Sequence, residues 1–225
     1  MMRAAPIEIE WHPDLPIFSS EKFLESVSDE YGWLGGTEDQ GKLCCILPYT
    51  IIRKGIFRMV RFRTETMLLD QLDVQDEKSF LNSAVEYFRS KNVDLVIPAT
   101  TNSIFRTYPD GAEAAPYGSY VIDLTQSEDT LWKNIDRITR QNIKSASRSG
   151  ILIRDAVREE LDRAFFLIRE TFKRSKLPFM RLGSFRTFLS GLGEYGKVLV
   201  ADYEGTAQSY VVFAYSNYCA YAIYA

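Results

Sequence analysis

Histidine is almost missing from this chain of 225 residues, which contains one, His12. A Ser-His-Asp or Cys-His nucleophilic device would have to run through it. His12 lies between Trp11 and Pro13, the setting of a loop or strand edge rather than of a base. Metal binding is no better served, because no His, Cys, Asp or Glu group has ligand spacing, and no metal is expected. Cysteine is scarce as well. The three present, Cys44, Cys45 and Cys219, fall in apolar runs that read as buried strands, the usage of a reducing compartment. There is no apolar leader and no run of 18 apolar residues, so neither a signal peptide nor a membrane span is expected, and the sequence points to the cytoplasm. One sign of charge is not in excess either. With 27 Lys and Arg against 30 Asp and Glu, the net charge of −3 disfavours a wholesale nucleic-acid or membrane-surface binder and leaves room only for a local basic patch.

What is present is apolar. A hydrophobic share of 46% is enough to build cores, so disorder is not the expectation. Ser20 to Glu30 places Phe23, Leu24 and Val27 on one face and predicts a short amphipathic helix. After a break at Gly35-Gly36, the runs Leu43 to Leu47, Tyr49 to Ile52 and Phe57 to Phe62 predict antiparallel strands with a turn at Lys54-Gly55. A helix over Ser79 to Lys91 and a strand over Leu95 to Ile97 follow. Between Ala99 and Gly118 the composition turns to Thr, Asn, Pro, Gly and Ala, the chemistry of a seam between two units.

The second unit opens on an expected strand, Ser119 to Leu124. One long helix is expected over Thr125 to Ser149, stopped by Gly150, and then a strand over Ile151 to Arg154. Helices over Arg158 to Ser175 and Ser184 to Glu194 precede three strands, Lys197 to Tyr203, Ala207 to Tyr215 and Cys219 to Ala225. Both halves run helices and then a strand meander, a weak repeat of element order. The expected class is α/β, of the α+β kind, with domains at 1–117 and 118–225. The last apolar strand calls for a covering element, so the second domain is expected to continue beyond Ala225 or to pair with another chain.

The run from Ser119 through Asp123-Leu124, then Leu131-Trp132, then Arg140 to Gly150, resembles the FemAB family, where a strand ending in Asp-Leu leads into a basic helix closed by Gly. Thr171-Phe172, Arg181, Phe185, Phe188 and Val198 to Gly205 extend the likeness, which also reaches related acyltransferases of polysaccharide synthesis. The resemblance implies tandem GNAT-like domains, mixed sheets flanked by helices. It implies transfer of an acyl or aminoacyl group to an amine or hydroxyl acceptor in cell-wall or polysaccharide biosynthesis. The donor co-substrate would be an acyl-CoA or an aminoacyl-tRNA, and the acceptor a small molecule, a glycan or a peptidoglycan precursor. The alternative is a catalytically silent GNAT-like module that binds a partner.

Several residues carry these expectations. A CoA diphosphate loop of the form Gln/Arg-x-x-Gly-x-Gly/Ala occurs nowhere; the corresponding connection in the first half, Asp70 to Glu77, carries four acids and no glycine. Lys133, Arg137, Arg140, Lys144 and Arg148 follow at spacings of four, three, four and four, one basic stripe if the helix is continuous. That stripe either guides a polyanion such as tRNA or is a solvated face. By the resemblance, Arg181 matches an arginine set against the acceptor's phosphate, a task suited to its fork; the bland reading is a surface charge at a helix entry. The family's acceptor-binding lysine has no match near Ser20 to Gly36, where only Lys22 stands. Phe185 and Tyr221 are the remaining substrate-binding candidates, Tyr221 from a tyrosine-rich final meander that could equally be strand packing. A catalytic residue cannot be named, and direct attack of the acceptor on the donor ester would need none as nucleophile.

Overall fold

The computed structural model describes residues 2–38, 41–98, 103–115 and 118–225. The chain divides into two compact units. One holds Met1–Tyr117 together with Arg181–Gly196 and Ala214–Tyr221; the other holds Gly118–Met180, Lys197–Phe213 and Ala222–Ala225. The chain passes from the first unit to the second between residues 117 and 118, and two later segments belong to the first unit. Residues 99–102 and 116–117 of the expected seam lie outside the described residues.

The first unit is built on a sheet of β1 (Arg3–Ile7), β2 (Glu30–Thr37), β3 (Leu43–Lys54), β4 (Phe57–Phe62) and β6 (Leu95–Ile97) in that spatial order, with β5 (Met67–Leu68) beside β3. Neighbours are antiparallel except β4 and β6, which run parallel across the crossover helix α2 (Val74–Ser90). Asp73 starts α2 by accepting the Asp76 N–H at 2.7 Å. The apolar positions of α2, Phe80, Leu81, Ala84 and Phe88, then cover Leu34, Cys45, Leu47, Tyr49, Val60 and Phe62 of the sheet. Side chains alternate along a strand, so Trp33, next to Leu34, faces the other way, and its Nε1 donates to the Ser19 carbonyl at 2.9 Å. On that side lies α1 (Glu21–Val27), capped by Ser20, whose Phe23 meets Phe188 of α6 (Leu182–Leu192) with ring centroids 5.7 Å apart.

Three readings of the first half change. Gly35 and Gly36 are not a break but lie within β2, where they are required by close packing. A Cβ on Gly36 would lie 2.4 Å from Cys45 Sγ and 2.8 Å from Phe80 Cδ2. Gly36→Ala is accordingly expected to cost about 1–3 kcal/mol, read as a lowered urea midpoint. Leu43 to Ile52 is a single strand running through Pro48. The proline is tolerated where pairing on that side passes from β4 to β5, and its carbonyl still accepts the Arg63 N–H at 3.0 Å. The hairpin turn falls on Gly55 and Ile56, because Lys54 pairs with Phe57 and Gly55 takes φ 62°.

A second sheet, ordered β10-β9-β8-β7, is formed by β7 (Leu152–Asp155), β8 (Gly196–Tyr203), β9 (Thr206–Tyr215) and β10 (Ala220–Tyr224). Helix α5 (Leu161–Arg174) buries Ala164, Phe165 and Ile168, and Val200, Tyr210 and Val212 are buried in the strands. Phe179 packs on Phe172 and Tyr224, with ring centroids 4.6 and 5.2 Å away. The expected strand Ser119 to Leu124 is not a strand, since it makes no ladder, and Tyr120, Val121, Ile122 and Leu124 are exposed. The expected long helix is two, α3 (Glu128–Asn134) and α4 (Arg137–Arg148), broken at Ile135 where Asp136 turns outward and caps α4 through the Thr139 N–H at 2.9 Å. Neither helix has a buried residue.

Candidate functional site

The break between α3 and α4 splits the basic stripe. Lys133 belongs to α3, and Arg140 is engaged: its Nη1 donates to the carbonyls of Ile135 at 2.5 Å, Lys133 at 2.7 Å and Trp132 at 3.3 Å, closing the C-terminal end of α3. Lys144 lies 5.9 Å from the centroid of the Trp132 ring. Lys133, Arg137, Lys144 and Arg148 are exposed, and among the described residues none of them pairs with a carboxylate. The surface is a cationic patch on two helices, with one of its five members bound up in holding those helices together.

The second unit contains one tight charged network. Arg154 on β7 donates to both oxygens of Glu160 at 2.7 and 2.8 Å and to Asp202 on β8 at 3.0 Å. Glu160 also accepts the Val157 N–H at 2.9 Å. The hydrogen bond from Arg154, helped by that N–H, holds the Glu160 carboxyl down at about 2. Tyr210, 2% exposed, has a buried hydroxyl without a hydrogen-bond partner. Burial first, and then the charge of Glu160, push its phenol up. The network works as a clamp between β7, β8 and the turn before α5. Because the folded pKa of Glu160 lies below its ordinary value of 4.5, the clamp's contribution is complete above pH 4.5 and is lost as pH falls from there towards 2. Urea midpoints taken from pH 6 down to pH 2 are expected to drop across that window, and the drop is expected to be smaller in Arg154→Met.

In the first unit, Arg181 immediately precedes α6 in extended backbone, φ −77° and ψ 156°, with its side chain exposed and no partner among the described residues. Its guanidinium is free to take an anion. Phe185, one turn on, is fully buried at 0% exposure, so it supports the helix from inside rather than touching a ligand. Tyr221 is 9% exposed and packs on Phe18 with centroids 5.1 Å apart, and burial pushes its phenol up. Its neighbours form a group that the sequence did not single out. The Tyr218 hydroxyl donates to Glu65 at 3.5 Å, and Tyr218 and Tyr221 flank Cys219. Burial first, and then the Glu65 charge, push the Cys219 thiol up, away from thiolate chemistry. Burial likewise pushes Cys45 up to about 12. Arg181, Phe185 and Tyr221 thus share one unit with the Glu65 group, whereas the cationic helices are in the other.

The family model of the FemAB family matches residues 107–207. No curated protein matches the sequence. Among solved structures, the chain resembles FemX, with 13% identity and a TM-score of 0.53 over 84% of this chain and 53% of that one. It spans, therefore, about half the length of FemX. Two further structures superpose more loosely. A ribosomal-protein-alanine N-acetyltransferase from Brucella melitensis biovar Abortus 2308 gives 16% identity and a TM-score of 0.31, over 55% of this chain and all of that one. A GCN5-related glucosamine N-acetyltransferase region of a fungal multi-domain GH3 β-N-acetylglucosaminidase gives 13% and 0.38, over 88% of this chain and 24% of that one. No helix among the described residues is long and apolar enough to cross a membrane. With two sheets flanked by helices, the chain shares its fold with FemX, and residues 107–207 match the FemAB family.

Proposed function

We propose that this protein takes part in transfer of an acyl or aminoacyl group to an acceptor of cell-wall or polysaccharide synthesis, a peptidoglycan precursor being the favoured acceptor. The match of residues 107–207 to the FemAB family carries this reading. Arg181 supports it, as an exposed guanidinium at the entry to α6 with no protein partner among the described residues, suited to bidentate contact with a precursor's phosphate. The reading is direct attack of the acceptor on the donor ester or thioester, catalysed by positioning. The cationic face of α3 and α4 fits the polyanion of a donor or acceptor, aminoacyl-tRNA or acyl-CoA being the two donor classes.

The test is to incubate the full chain with a nucleotide-linked peptidoglycan precursor and either a charged tRNA or an acyl-CoA, and to weigh the precursor by mass spectrometry. A mass gain equal to the donor's acyl group is expected, from one donor class and not the other. Arg181→Ala is expected to raise the KM for the precursor about tenfold, the worth of one charged hydrogen bond, with no loss of stability. Salt-dependent polyanion binding without transfer from either donor would replace this reading with that of a binding module.

A further inference from the structure

Under the last turn of α2, which ends at Ser90, one glycine opens the packing of the first unit. Along β2 the residues that face α2 alternate as Glu30, Gly32 and Leu34, with Leu34 in the core. Gly32 supplies no side chain there, and the Tyr49 hydroxyl comes within 2.9 Å of the place a Cβ would take. Between the sheet and the end of α2 lies a cavity of about 360 Å³, lined by Glu30, Tyr49, Ile51 and Arg58 from the strands and by Tyr87 and Lys91 from the helix end. Phe88 backs it, edge-on to the Tyr49 ring at 4.8 Å and to the Tyr87 ring at 5.2 Å, so one wall is aromatic.

Arg58, on β4, brings to this cavity a donor that nothing takes. Its Nη1 donates to the Lys91 carbonyl at 2.5 Å, closing the C-terminal end of α2, and its Nη2 pairs with Glu30. Its Nε is shielded from solvent and has no partner. A shielded donor left unpaired costs the folded state and calls for an explanation. Glu30 is already shared between Arg58 and Arg53, the latter at 3.5 Å, and the hydrogen bond from Arg58 holds its carboxyl below the usual range. Lys91 adds an exposed ammonium that no carboxylate takes among the described residues, 5.6 Å from the centroid of the Tyr87 ring. Asp29, the remaining charged residue of the lining, is exposed. Burial pushes the Tyr49 phenol up, so the aromatic wall stays uncharged and does not repel an anion.

We propose that this cavity binds a small aromatic carboxylate, its ring against Tyr49 and Tyr87 and its acid group accepting from Arg58 Nε and the Lys91 ammonium. A carboxylate answers both donors at once, through charged hydrogen bonds about twice as strong as neutral ones. The volume is at the small end for ligand pockets and suits one ring with its acid group. Arg58 stands at the start of β4 and the Glu65–Tyr218 contact beyond its other end, so this is a second site of the first unit. Binding here does not depend on acyl transfer and stands or falls without it.

The test follows the unpaired donor itself. In the full chain labelled with nitrogen-15, the Arg58 Nε–H resonance is identified by its disappearance in Arg58→Lys, or by its displacement in Tyr87→Leu should that variant fail to fold. Titration with sodium benzoate is expected to move it saturably. Benzyl alcohol, benzylammonium chloride and sodium acetate are expected to leave it in place at the same concentration and ionic strength. Lys91→Met is expected to raise the Kd for benzoate about tenfold, the worth of one charged hydrogen bond. No saturable movement with benzoate, the result if an ordered water alone serves Nε, overturns the proposal. Equal movement with benzyl alcohol or benzylammonium overturns it as a carboxylate site, and equal movement with acetate overturns it as a site for an aromatic ring.

Discussion

Arg106→Ala is expected to cost about 3 kcal/mol, because it strands a buried carboxylate. Glu77, in the first turn of α2, has only 1% of its surface exposed, and its Oε2 receives Arg106 at 2.7 Å. The same guanidinium donates to the Leu72 carbonyl at 3.1 Å, so one side chain fastens the segment around residue 106 to the start of α2. Two contacts nearby reach the same segment through Asp110, from Lys78 at 2.6 Å and Asn82 at 2.8 Å. Asp110 is exposed, and the ion pair it forms is worth less than about 1 kcal/mol. Asp110→Ala is therefore the control for loss of a surface contact. The measurement is the urea midpoint at pH 7, with an unchanged slope showing that only stability has moved. Glu77→Gln introduced into Arg106→Ala is expected to restore part of the loss, since a neutral amide costs less to bury than an unpaired charge. A loss under 1 kcal/mol for Arg106→Ala would mean that the Arg106–Glu77 pair does not fasten this segment in solution.

Much of this architecture was legible because the physics that builds it is local. The apolar spacing of Phe80, Leu81, Ala84 and Phe88 could belong only to a helix covering a sheet, and the structure places them there. Local signals misled where glycine or a cap has two meanings. Gly35-Gly36 reads as punctuation, yet Gly35 is there because Ile7 and Leu43 of the neighbouring strands come too close for a side chain, and Gly36 because Cys45 and Phe80 of α2 do. The run from Thr125 to Ser149 reads as one helix by periodicity. Asp136 and Thr139 carry a cap signature inside it, and the cap prevails because Ile135 leaves helical backbone and Arg140 takes up the freed carbonyls. Ser119 to Leu124 has strand composition without a partner for its ladder, which shows how far β-propensity depends on context.

The candidate site was legible only in part, for a different reason. Arg181 is singled out by the resemblance, and its guanidinium chemistry suits the anion binding that the resemblance implies. Glu65 and Tyr218 are 153 positions apart, and neither position has a pattern around it that announces the other. Tyr221 was picked out from a crowd of tyrosines; its burial against Phe18 ties it to the first unit's packing, and its neighbours bring Glu65 into view. The resemblance points to Phe185 as a contact, whereas its full burial places it in the support of α6.

That support depends on one glycine. Gly191 of α6 faces α1, and a Cβ there would lie 1.9 Å from Ser26 Oγ, 2.5 Å from Ser26 Cβ and 3.4 Å from the Phe23 Cα. The hydroxyl could rotate aside by giving up its 2.7 Å bond to the Phe23 carbonyl, but Ser26 Cβ is fixed to the backbone and cannot. Adding a side chain therefore means separating two packed helices. Gly191→Val is expected to cost about 3 kcal/mol, the upper part of the range for overpacking, read as a lowered urea midpoint. Gly191→Ala is expected to cost less, and Ser26→Gly in that background to recover stability despite the helix propensity it forfeits, because it removes both clashing atoms. Arg181 precedes the same helix, so the two-residue combination should also preserve its KM effect on an acceptor. If Gly191→Val left the midpoint unchanged, α6 would not be held against α1 in solution, and the inclusion of residues 181–196 in the first unit would fall with it.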